Sequence, residues 1–579
     1  MFLVTTPLTP WEESDQLLLG PWCKKQARTT AQLTVHEMSH PLVPLEQKKR
    51  CNRESRELVQ SVMPDLFREL NSLHGTSHGS RFWKVVCQRW LLGFVDVIYQ
   101  RWHLIDRALR EYDVDKAGGI SVRDEVIASR TTQEFNLQRE DHSWNEHIFS
   151  AIMGFRGVPV AEATAQVIQP AYVSGEMTNR TRYFGRLFGA LIHRSPICVV
   201  DSYLPRHKEL FLAMRMRSFP TRLNRHLISE EPYSKAMRAS MMLSRNSSNP
   251  LECFLRENLT RWIPMAWVED FKNLTDPKNA NIFPRSPRTI FTANAHLSND
   301  HFMIWAATRL ESGSRLVFSQ HGGLYGEGEV RSRNEEHELD VADRYVTWGW
   351  RDAESPNIET TRSQLATNPR KSCNSVGGLL FVMDTTFRYS RYSWETRAER
   401  DLYLESSSSL VSHLPQFIRE KTVVRLHHDH DRYDDGHQSY FGGIPDIKMD
   451  DYSKPITQAM KASRLVLVTT LSTTFIENIW SNTPTMIYAH PSIYEIRTEF
   501  RDVFDELTSV GVFHESHNTA AEFVGQIWDS VETWWESDGV KQAVKRYGEM
   551  FAGLNTPGRR SLVNVIRAAS SVPNLASKY

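Results

Sequence analysis

The sequence predicts an α/β protein with two doubly wound parallel sheets and a cleft between them. Short apolar segments rich in branched residues alternate with helix-length segments, which is the pattern that βαβ units produce. Several of the apolar segments end abruptly in polar clusters, as strands do at the ligand-binding edge of an open sheet. A chain of 579 residues is also too long for one hydrophobic core. We therefore expect two domains, at 1–355 and at 376–579, joined by a polar linker at 353–375.

The composition excludes several classes of protein. Lys+Arg and Asp+Glu both number 69, so no excess of positive charge suggests nucleic acid as a partner. The six cysteines form no CxxC pair, which favours a reduced, cytoplasmic protein without a cysteine-based zinc site. The first residues lack the basic start of a signal peptide, and no apolar run reaches the ~18 residues that span a bilayer. We expect a cytoplasmic protein, and peripheral contact with the inner face of the membrane stays open.

The predicted elements follow from periodicity and from turn residues. Apolar residues between Arg81 and Tyr112 recur at helical spacing, and the tryptophans of this region indicate core packing. An acceptor-binding role for Trp11 or Trp144 is the alternative. The predicted strands are 2–6, 197–201, 289–293, 315–319, 345–347, 377–384, 422–426, 465–468 and 484–488. The predicted helices are 208–216, 252–267, 405–420, 455–462 and 475–480.

The first candidate site is the loop after the strand 315–319, where the sequence reads RLVFSQHGGLYGEG. Four glycines follow Gln320 and His321 within a few residues, and glycine lets a backbone approach a ligand closely. His321 has an unperturbed pKa near neutrality and stands where open α/β sheets bind their ligands. We expect His321 to act as a catalytic acid or base, with Gln320, Gly322 and Gly323 beside the ligand. A structural histidine that caps the glycine turn is the alternative.

The second candidate site is the stretch SRLVLVTTLSTTFIE at 463–477, in which a strand runs through five hydroxyl side chains into a helix. The first N–H groups of a helix lack internal partners and carry positive dipole charge, so they suit a phosphate group. Ser472, Thr473 and Thr474 are the predicted phosphate-binding hydroxyls. A capping box of Thr474 and Glu477 is the simpler explanation for part of this pattern.

A third group of polar residues ends the strand at 422–426. Arg425 could hold a phosphate through paired hydrogen bonds, and His427 shares its strand face if the strand continues. The following letters, HHDHDRYDDGH, have the composition of a metal site. Their spacing fits a solvated polar loop better than a fixed coordination geometry, so we expect no metal.

These motifs together resemble a known fold family. The order of QHGG, MDTTFR (383–388), RLHH and TTLSTTFIE is similar to that of GT-B glycosyltransferases, which consist of two Rossmann-type domains. It is distantly similar to the CDP-glycerol glycerophosphotransferases of teichoic-acid synthesis. A closer resemblance runs from MFLVTTPLTPWEES through RFWKVVCQRWLLGF and SQHGGLYGEGE to STTFIENIWSNTPTMIY. In these stretches the chain resembles transferases of bacterial O-antigen and surface-polysaccharide gene clusters.

The resemblance implies a metal-independent transferase that uses a nucleotide-activated sugar as co-substrate and needs no other cofactor. Its partners would be that donor and a glycan or lipid-linked glycan acceptor. It implies that the domain at 1–355 lies on the acceptor side, with a general base at His321, and that the domain at 376–579 binds the nucleotide sugar. The donor contacts that match the family's motifs are Thr385, Thr386, Arg388, His427 and the turn 471–474. We add Arg425, from its place at a strand end, and Glu477 to the predicted donor site. His428 stands where the glycerophosphotransferases have proline, and Thr470-Leu471 where they have Asp-Tyr, which puts glycerophosphate as the transferred group in doubt. The kind of gene cluster, rather than these residues, suggests a CMP-linked nonulosonic or Kdo-like acid.

Other functions remain compatible with the same motifs. An alditol-phosphate transferase would use a related donor, and a nucleotide-sugar epimerase or hydrolase can share the two-domain fold. A non-catalytic scaffold that binds nucleotide sugars is the third alternative. Turnover of donor separates these possibilities, because a scaffold gives none and a hydrolase needs no acceptor.

Overall fold

The computed structural model describes residues 1–10, 12, 14–26, 34–120, 124–163, 191–219, 231–244, 246–366, 374–430, 437–556 and 562–570. These residues form three sheets, and every strand pairing within them is parallel. The strands are β1 Phe2–Val4, β2 Gln16–Leu18, β3 Val35–Glu37, β4 Lys116–Ile120, β5 Val160–Ala163, β6 Ile197–Val200, β7 Thr289–Thr292, β8 Arg315–Ser319, β9 Arg344–Thr347, β10 Ile358–Thr360, β11 Leu379–Val382, β12 Thr422–Arg425, β13 Lys448–Met449, β14 Leu465–Val468, β15 Thr485–Tyr488 and β16 Phe513–His514.

The strand orders show in which sheets the chain adds strands first on one side of the starting strand and then on the other. The first sheet runs β3-β2-β1-β4-β5 and the third runs β13-β12-β11-β14-β15-β16. Both orders start from a central first strand and extend to either side, as in Rossmann-type sheets, so each has a topological switch point. The second sheet runs β10-β9-β8-β7-β6 in simple succession. The α/β class and the doubly wound parallel sheets of the prediction are confirmed.

Helices connect and cover the strands. The helical stretch predicted between Arg81 and Tyr112 is present as two α-helices joined by a π-helical segment, Lys84–Gln88. The longest helix, Leu45–His74, ends at Gly75, whose φ of 63° is the left-handed conformation that glycine adopts readily. The α-helices are Leu45–His74, Ser80–Trp83, Arg89–Glu111, Asp124–Ile127, Thr132–Gln138, His142–Phe155, Arg206–Arg215, Lys235–Ser240, Pro250–Trp262, Phe271–Thr275, Asp300–Glu311, Arg333–Val341, Arg397–His413, Gln416–Arg419, His437–Phe441, Ile456–Ala462, Thr473–Ser481, Arg501–Ser509, His517–Ile527, Val531–Trp535, Asp538–Phe551 and Leu562–Ala569.

The predicted strands all exist, and two of them, β8 and β14, have the predicted bounds. The prediction missed β2 to β5 of the first sheet. β2 and β3 are only three residues long, and β4 reads KAGGI, in which two glycines hide the apolar pattern. Trp144 is buried, in agreement with core packing, whereas Trp11 lies outside the described residues.

The segment predicted as a linker is partly structured, which corrects the sequence analysis. β10 pairs with β9 within it, and Thr361, Ser363 and Gln364 are buried. Gln364 donates to Ser319 Oγ at 2.5 Å and accepts from the indole of Trp348. Because these buried side chains are polar and are satisfied by hydrogen bonds, apolar periodicity could not reveal them. Residues 367–373 of the predicted linker lie outside the described residues. The division into domains at 355 and 376 stays a prediction.

The last described helix packs against the second sheet. The helix Leu562–Ala569 contributes Val563, Val565 and Ile566 to an apolar cluster with Val199 of β6 and Val317 of β8. This contact ties the end of the chain to residues that precede it by more than two hundred positions. None of the helices in the described ranges combines the length and hydropathy that a membrane-crossing segment needs.

Candidate functional site

The candidate site lies at the switch point of the third sheet. β11 pairs with β12 on one side and with β14 on the other, so the chain leaves these strands in opposite directions. A cavity of about 330 Å³ opens at their carboxyl ends. Its lining comes from Asp384 after β11, from 425–428 at the end of β12 and from Thr470 and 472–474 after β14. We call it the switch-point cavity.

The helix Thr473–Ser481 begins at this cavity. Ser472 is its N-cap residue, but the Ser472 side chain makes no capping hydrogen bond. The capping box of Thr474 and Glu477 is wrong, because the helix starts one residue before Thr474. The Ser472 hydroxyl makes no hydrogen bond to any described residue and lines the cavity. The first N–H groups of the helix and this hydroxyl are therefore an arrangement that suits an anionic ligand.

The glycine loop after β8 touches this helix start. The backbone N–H of Gly323 donates to Thr473 Oγ1 at 3.1 Å. A Cβ on Gly323 would lie 2.5 Å from Leu471 O and 2.8 Å from Thr473 N. Such an approach is possible only for glycine, since both atoms belong to the backbone. The two candidate sites of the sequence thus come together, with Gly322 and Gly323 packed against the turn.

His321 stands just before these glycines, and its side chain is 15 % exposed. Tyr325 Oη lies 3.0 Å from its Nε2, and Glu338 Oε1 lies 3.8 Å from its Nδ1. Burial lowers the pKa of His321 to about 4, which keeps the imidazole neutral at pH 7. Burial also raises the pKa of Glu338 to about 7, and His296 Nε2 contacts Glu338 Oε1 at 2.7 Å. His321 lines neither the switch-point cavity nor the cavity that adjoins it.

Gln320 holds the loop from inside. Its Oε1 accepts from Trp348 N at 3.0 Å and from Trp350 Nε1 at 2.9 Å, and its Nε2 donates to Gly322 O at 2.7 Å. The side chain is buried. These contacts fix the start of the glycine loop, so Gln320 has an internal structural role here, and its predicted contact with a ligand is untested.

Arg425 and His427 both line the switch-point cavity, as predicted. Arg425 is also committed to the protein, since its Nη1 donates to Asp450 Oδ2 at 2.7 Å and to Lys454 O at 3.0 Å. Burial, followed by the neighbouring His428, lowers the pKa of His427. Arg425 therefore lies at the cavity in a fixed position, with its charge already paired with that of Asp450.

The histidine-rich loop lies at the edge of the same cavity. His427, His428 and Asp429 offer ligand atoms that all lie within 4.8 Å of one another. His428 is largely exposed, and residues 431–436 of the loop lie outside the described residues. The expectation that no metal is needed is not tested by this geometry.

A second cavity of about 300 Å³, which we call the adjoining cavity, lies between the two halves of the chain. Thr385 and Thr386 line it, and Asp384 lines both cavities. The Asp384 N–H donates to Tyr403 Oη at 2.8 Å, and its Oδ1 accepts from Thr385 N at 2.7 Å. Burial raises the pKa of Asp384, and the hydrogen bond from Thr385 opposes this shift. Asp384 thus marks the junction of the two cavities.

Two further predicted residues, Arg388 and Glu477, line neither cavity, and the same holds for Gln320, His321, Gly322 and Gly323. Arg388 donates to Glu140 O at 3.3 Å, which joins the segment after β11 to the N-terminal half. Glu477 is the fifth residue of its helix, and burial raises its pKa to about 7. Burial and then the charge of Glu477 raise the pKa of Tyr203.

Asp384 was not among the predicted site residues, although its position just beyond a strand end could have indicated it. Asp384 follows β11 after one residue, as His321 follows β8, and the rule that ligands bind beyond the carboxyl ends of strands applies equally to both. His296 also had this signal, because it stands in the polar cluster that follows β7, and Tyr325 lies in the same glycine loop as His321, four residues further on. Glu338 had no such signal, since helix Arg333–Val341 brings it to His321 only through tertiary packing.

Comparison with known proteins adds structural similarities at low identity. The chain is similar to Anabaena Alr3699/HepE in complex with UDP-glucose, with a TM-score of 0.34 and 10 % identity over 66 % of this chain and 99 % of that one. It is similar to Os79 from O. sativa in complex with UDP, with a TM-score of 0.34 and 12 % identity over 65 % and 99 %. For the spinosyn rhamnosyltransferase SpnG the TM-score is 0.30, with 10 % identity over 66 % and 98 %. No protein with a curated description matches the chain.

The fold and the cavity define the class first. This is a parallel-sheet α/β protein with a polar cavity at the switch point of a Rossmann-like sheet. The family follows from the sequence as a whole, because the model of the LIC12162 family transferases matches residues 1–561. The chain belongs to that family, and it is a transferase.

Proposed function

We propose that this transferase moves a sugar from a nucleotide-activated donor to a hydroxyl group of a surface-polysaccharide or O-antigen acceptor. One observation carries the proposal. A helix N-terminus with an unused N-cap hydroxyl, Ser472, faces a cavity that Arg425 and His427 also line, at the switch point of a Rossmann-like sheet. Phosphate groups are the ligands that such a site suits best.

The leaving group of the reaction would be stabilised by the switch-point cavity. As the bond between the sugar C1 and the phosphate oxygen breaks, the electron pair passes to the phosphate. Arg425, the Ser472 hydroxyl and the N–H groups at the start of helix Thr473–Ser481 then face the added negative charge. Fixed donors of this kind act without reorganisation during the reaction. We propose that no metal is required for this step.

His321 is the proposed general base. Burial holds its imidazole neutral at pH 7, so it can accept the proton of the acceptor hydroxyl while that oxygen bonds to C1. Glu338, at 3.8 Å from Nδ1, would stabilise the imidazolium that forms. The Tyr325 hydroxyl lies 3.0 Å from Nε2. The acceptor hydroxyl would therefore have to displace the Tyr325 hydroxyl or pass its proton to His321 through it.

Turnover of donor by the purified protein tests the proposal. Nucleotide release from UDP-, CMP- and GDP-linked sugars should need an added oligosaccharide acceptor and should persist in EDTA. Release without acceptor would indicate a hydrolase, and no release from any donor under either condition would contradict the proposal. His321→Ala should abolish transfer and leave nucleotide affinity within a few-fold, with His321→Asn as the companion variant that keeps a hydrogen bond. Near-normal kcat in His321→Ala would leave the histidine a structural role only.

A further inference from the structure

The adjoining cavity is placed to receive whatever group the nucleotide carries. It meets the switch-point cavity at Asp384, and Leu471 on its wall is the direct neighbour of Ser472. A phosphate held at the Ser472 turn would therefore direct its substituent past Asp384 into this second space. Both halves of the chain line it, with 328–330 from the loop after β8 and 493–495 after β15.

The charged lining of this cavity is dominated by carboxylates. Its two cations are Lys48 and Arg400, and its five carboxylates are Asp384, Glu329, Glu395, Glu399 and Glu495. Lys48 is bound between two of these carboxylates, because its Nζ contacts both Glu399 and Glu495.

The second cation is also paired. Arg400 Nη1 contacts Asp401 Oδ1 at 2.8 Å. Glu329 has its own partner, since Lys49 Nζ lies 3.3 Å from its Oε2. Each of the two cations among the described lining residues is therefore already paired with a carboxylate of the protein.

Two carboxylates remain without an ion pair among the described residues, namely Asp384 and Glu395. Asp384 accepts a hydrogen bond from Thr385 N, and Glu395 accepts one from Arg391 N at 2.7 Å. Burial raises the pKa of both groups. An anionic substituent would bring a further negative charge to a lining in which five carboxylates already outnumber two cations, which is unfavourable.

The remaining lining suits a neutral, hydroxyl-bearing ring. Carboxylates and the hydroxyls of Thr385 and Thr386 accept hydrogen bonds from hydroxyl groups. The rings of Tyr392 and Trp394 stack with their centroids 4.7 Å apart and contribute apolar faces to the same cavity. Aromatic surface with a few polar acceptors is the usual chemistry of a pocket for a small polar ligand.

We propose that the adjoining cavity holds the transferred group, and that it selects a neutral sugar and rejects one that carries a carboxylate. This inference rests on the proposed function, since it presumes a nucleotide-linked donor in the switch-point cavity. It argues against the nonulosonic or Kdo-like acid that the gene-cluster resemblance suggested. Glu395 is the proposed specificity residue, because it lies in the adjoining cavity and does not line the phosphate side.

A matched pair of nucleotide sugars tests this selectivity by titration calorimetry. UDP-glucose and UDP-glucuronate differ only at C6, and UDP serves as the reference for the nucleotide part. We expect UDP-glucuronate to bind at least tenfold more weakly than UDP-glucose. Glu395→Gln should reduce this ratio at least threefold and leave UDP affinity unchanged. Glu532→Gln, at an exposed position on a later helix, should alter neither value.

The outcomes distinguish failure of the neutral-sugar inference from failure of the proposed function. If UDP-glucuronate binds as tightly as UDP-glucose, the neutral-sugar inference is overturned and the proposed function stands. If UDP, CDP, CMP, GDP and dTDP all fail to bind, the proposed function falls, and the inference with it. The ratio of UDP-glucose affinity to UDP-glucuronate affinity in the unaltered protein tests the neutral-sugar inference even if Glu395→Gln does not fold.

Discussion

Among single residues, Ser472 distinguishes most clearly between a structural and a binding role. Helix N-cap residues usually accept a hydrogen bond from the second or third helical N–H group. Several helices of this protein follow that pattern, for example Asp300–Glu311, whose cap Asn299 accepts from Phe302 N at 2.9 Å. Ser472 does not, although it has the right residue type and position. Its hydroxyl is available to a ligand instead.

Ser472→Ala should therefore leave thermal stability almost unchanged and weaken phosphate-dependent affinity. Without a capping hydrogen bond to lose, the variant should melt within a degree or two of the parent. Loss of one hydrogen bond to a charged phosphate should cost about 1.5–3 kcal/mol of binding free energy. Titration with a nucleoside and its diphosphate measures this difference, and equal losses for the two ligands would remove Ser472 from the phosphate site.

The matched control is Asn299→Ala, which removes a cap that is in use. We expect it to lower stability by about 1 kcal/mol and to leave nucleotide affinity unaltered once unfolded protein is taken into account.

Glu327 is a second informative residue, because it is buried within the glycine loop. Its Oε1 accepts from Tyr547 Oη at 2.9 Å, which connects the loop to the helix Asp538–Phe551. Burial raises the pKa of Glu327 to about 8, against 4.5 for the ordinary side chain. Between these values the folded protein binds more protons than the unfolded chain, so its stability falls as the pH rises.

Glu327→Gln should remove this pH dependence. The amide can accept the Tyr547 hydrogen bond without carrying a charge, so the variant should be more stable than the parent at pH 8–9, by more than about 1 kcal/mol. The advantage should disappear about one pH unit below 4.5, where the carboxyl is protonated in both states. Tm values across a pH series give the comparison. A variant that is less stable than the parent at pH 9 would show that the charged form is favoured in the fold.

At the scale of elements, the contact between the glycine loop and the turn 471–473 joins the two halves of the site. The loop is also fixed on its far side, where Gly328 forms an antiparallel bridge with Ile496 and Glu329 N donates to Glu495 O at 2.9 Å. The position of the helix start therefore depends on how closely the loop can approach it.

Gly323→Ala should disturb this approach, because its Cβ would meet backbone atoms of Leu471 and Ser472 at 2.5 and 2.6 Å. Backbone cannot move aside as a side chain can, so we expect a lower Tm and nucleotide affinity reduced several-fold. Gly328→Ala is the control, since its nearest neighbour lies at 3.6 Å, an ordinary contact distance. If both variants bind nucleotide as the parent does, the contact does not shape the site.

The elements also show what the sequence could and could not predict. β8 and β14 were predicted with their bounds because they are buried runs of branched residues that end in polar residues. β2 to β5 of the first sheet were missed because short strands and glycines leave no pattern. The meeting of Gly323 with Thr473 joins positions 150 residues apart, and nothing in local sequence encodes such a distance. The buried hydrogen bonds of Gln320 and Gln364 could not be predicted either, because polar side chains that pair in this way leave no apolar periodicity in the sequence.

For the whole molecule, the last described helix connects the end of the chain to the second sheet. Ile566 is fully buried there, in the cluster that contains Phe291 and Val317. The stability of the N-terminal part therefore depends on residues at the other end of the sequence.

Ile566→Ala should destabilise the protein by about 2–5 kcal/mol, the usual cost of such a truncation in a packed core. Ala568→Ser, on the exposed face of the same helix, should change stability by no more than about 0.5 kcal/mol. Chemical denaturation followed by tryptophan fluorescence measures both. A parent-like midpoint for Ile566→Ala would mean that the helix does not dock in solution.

The most direct test of the central claim is the location of nucleotide binding. Amide hydrogen exchange, measured with and without a saturating nucleoside diphosphate, reports which backbone segments the ligand protects. The switch-point cavity predicts slower exchange in peptides that cover 470–476 and 383–386, with little change in the first sheet at 2–18. Protection confined to other segments, or none at these two while the nucleotide is bound, would contradict the assignment of the donor site.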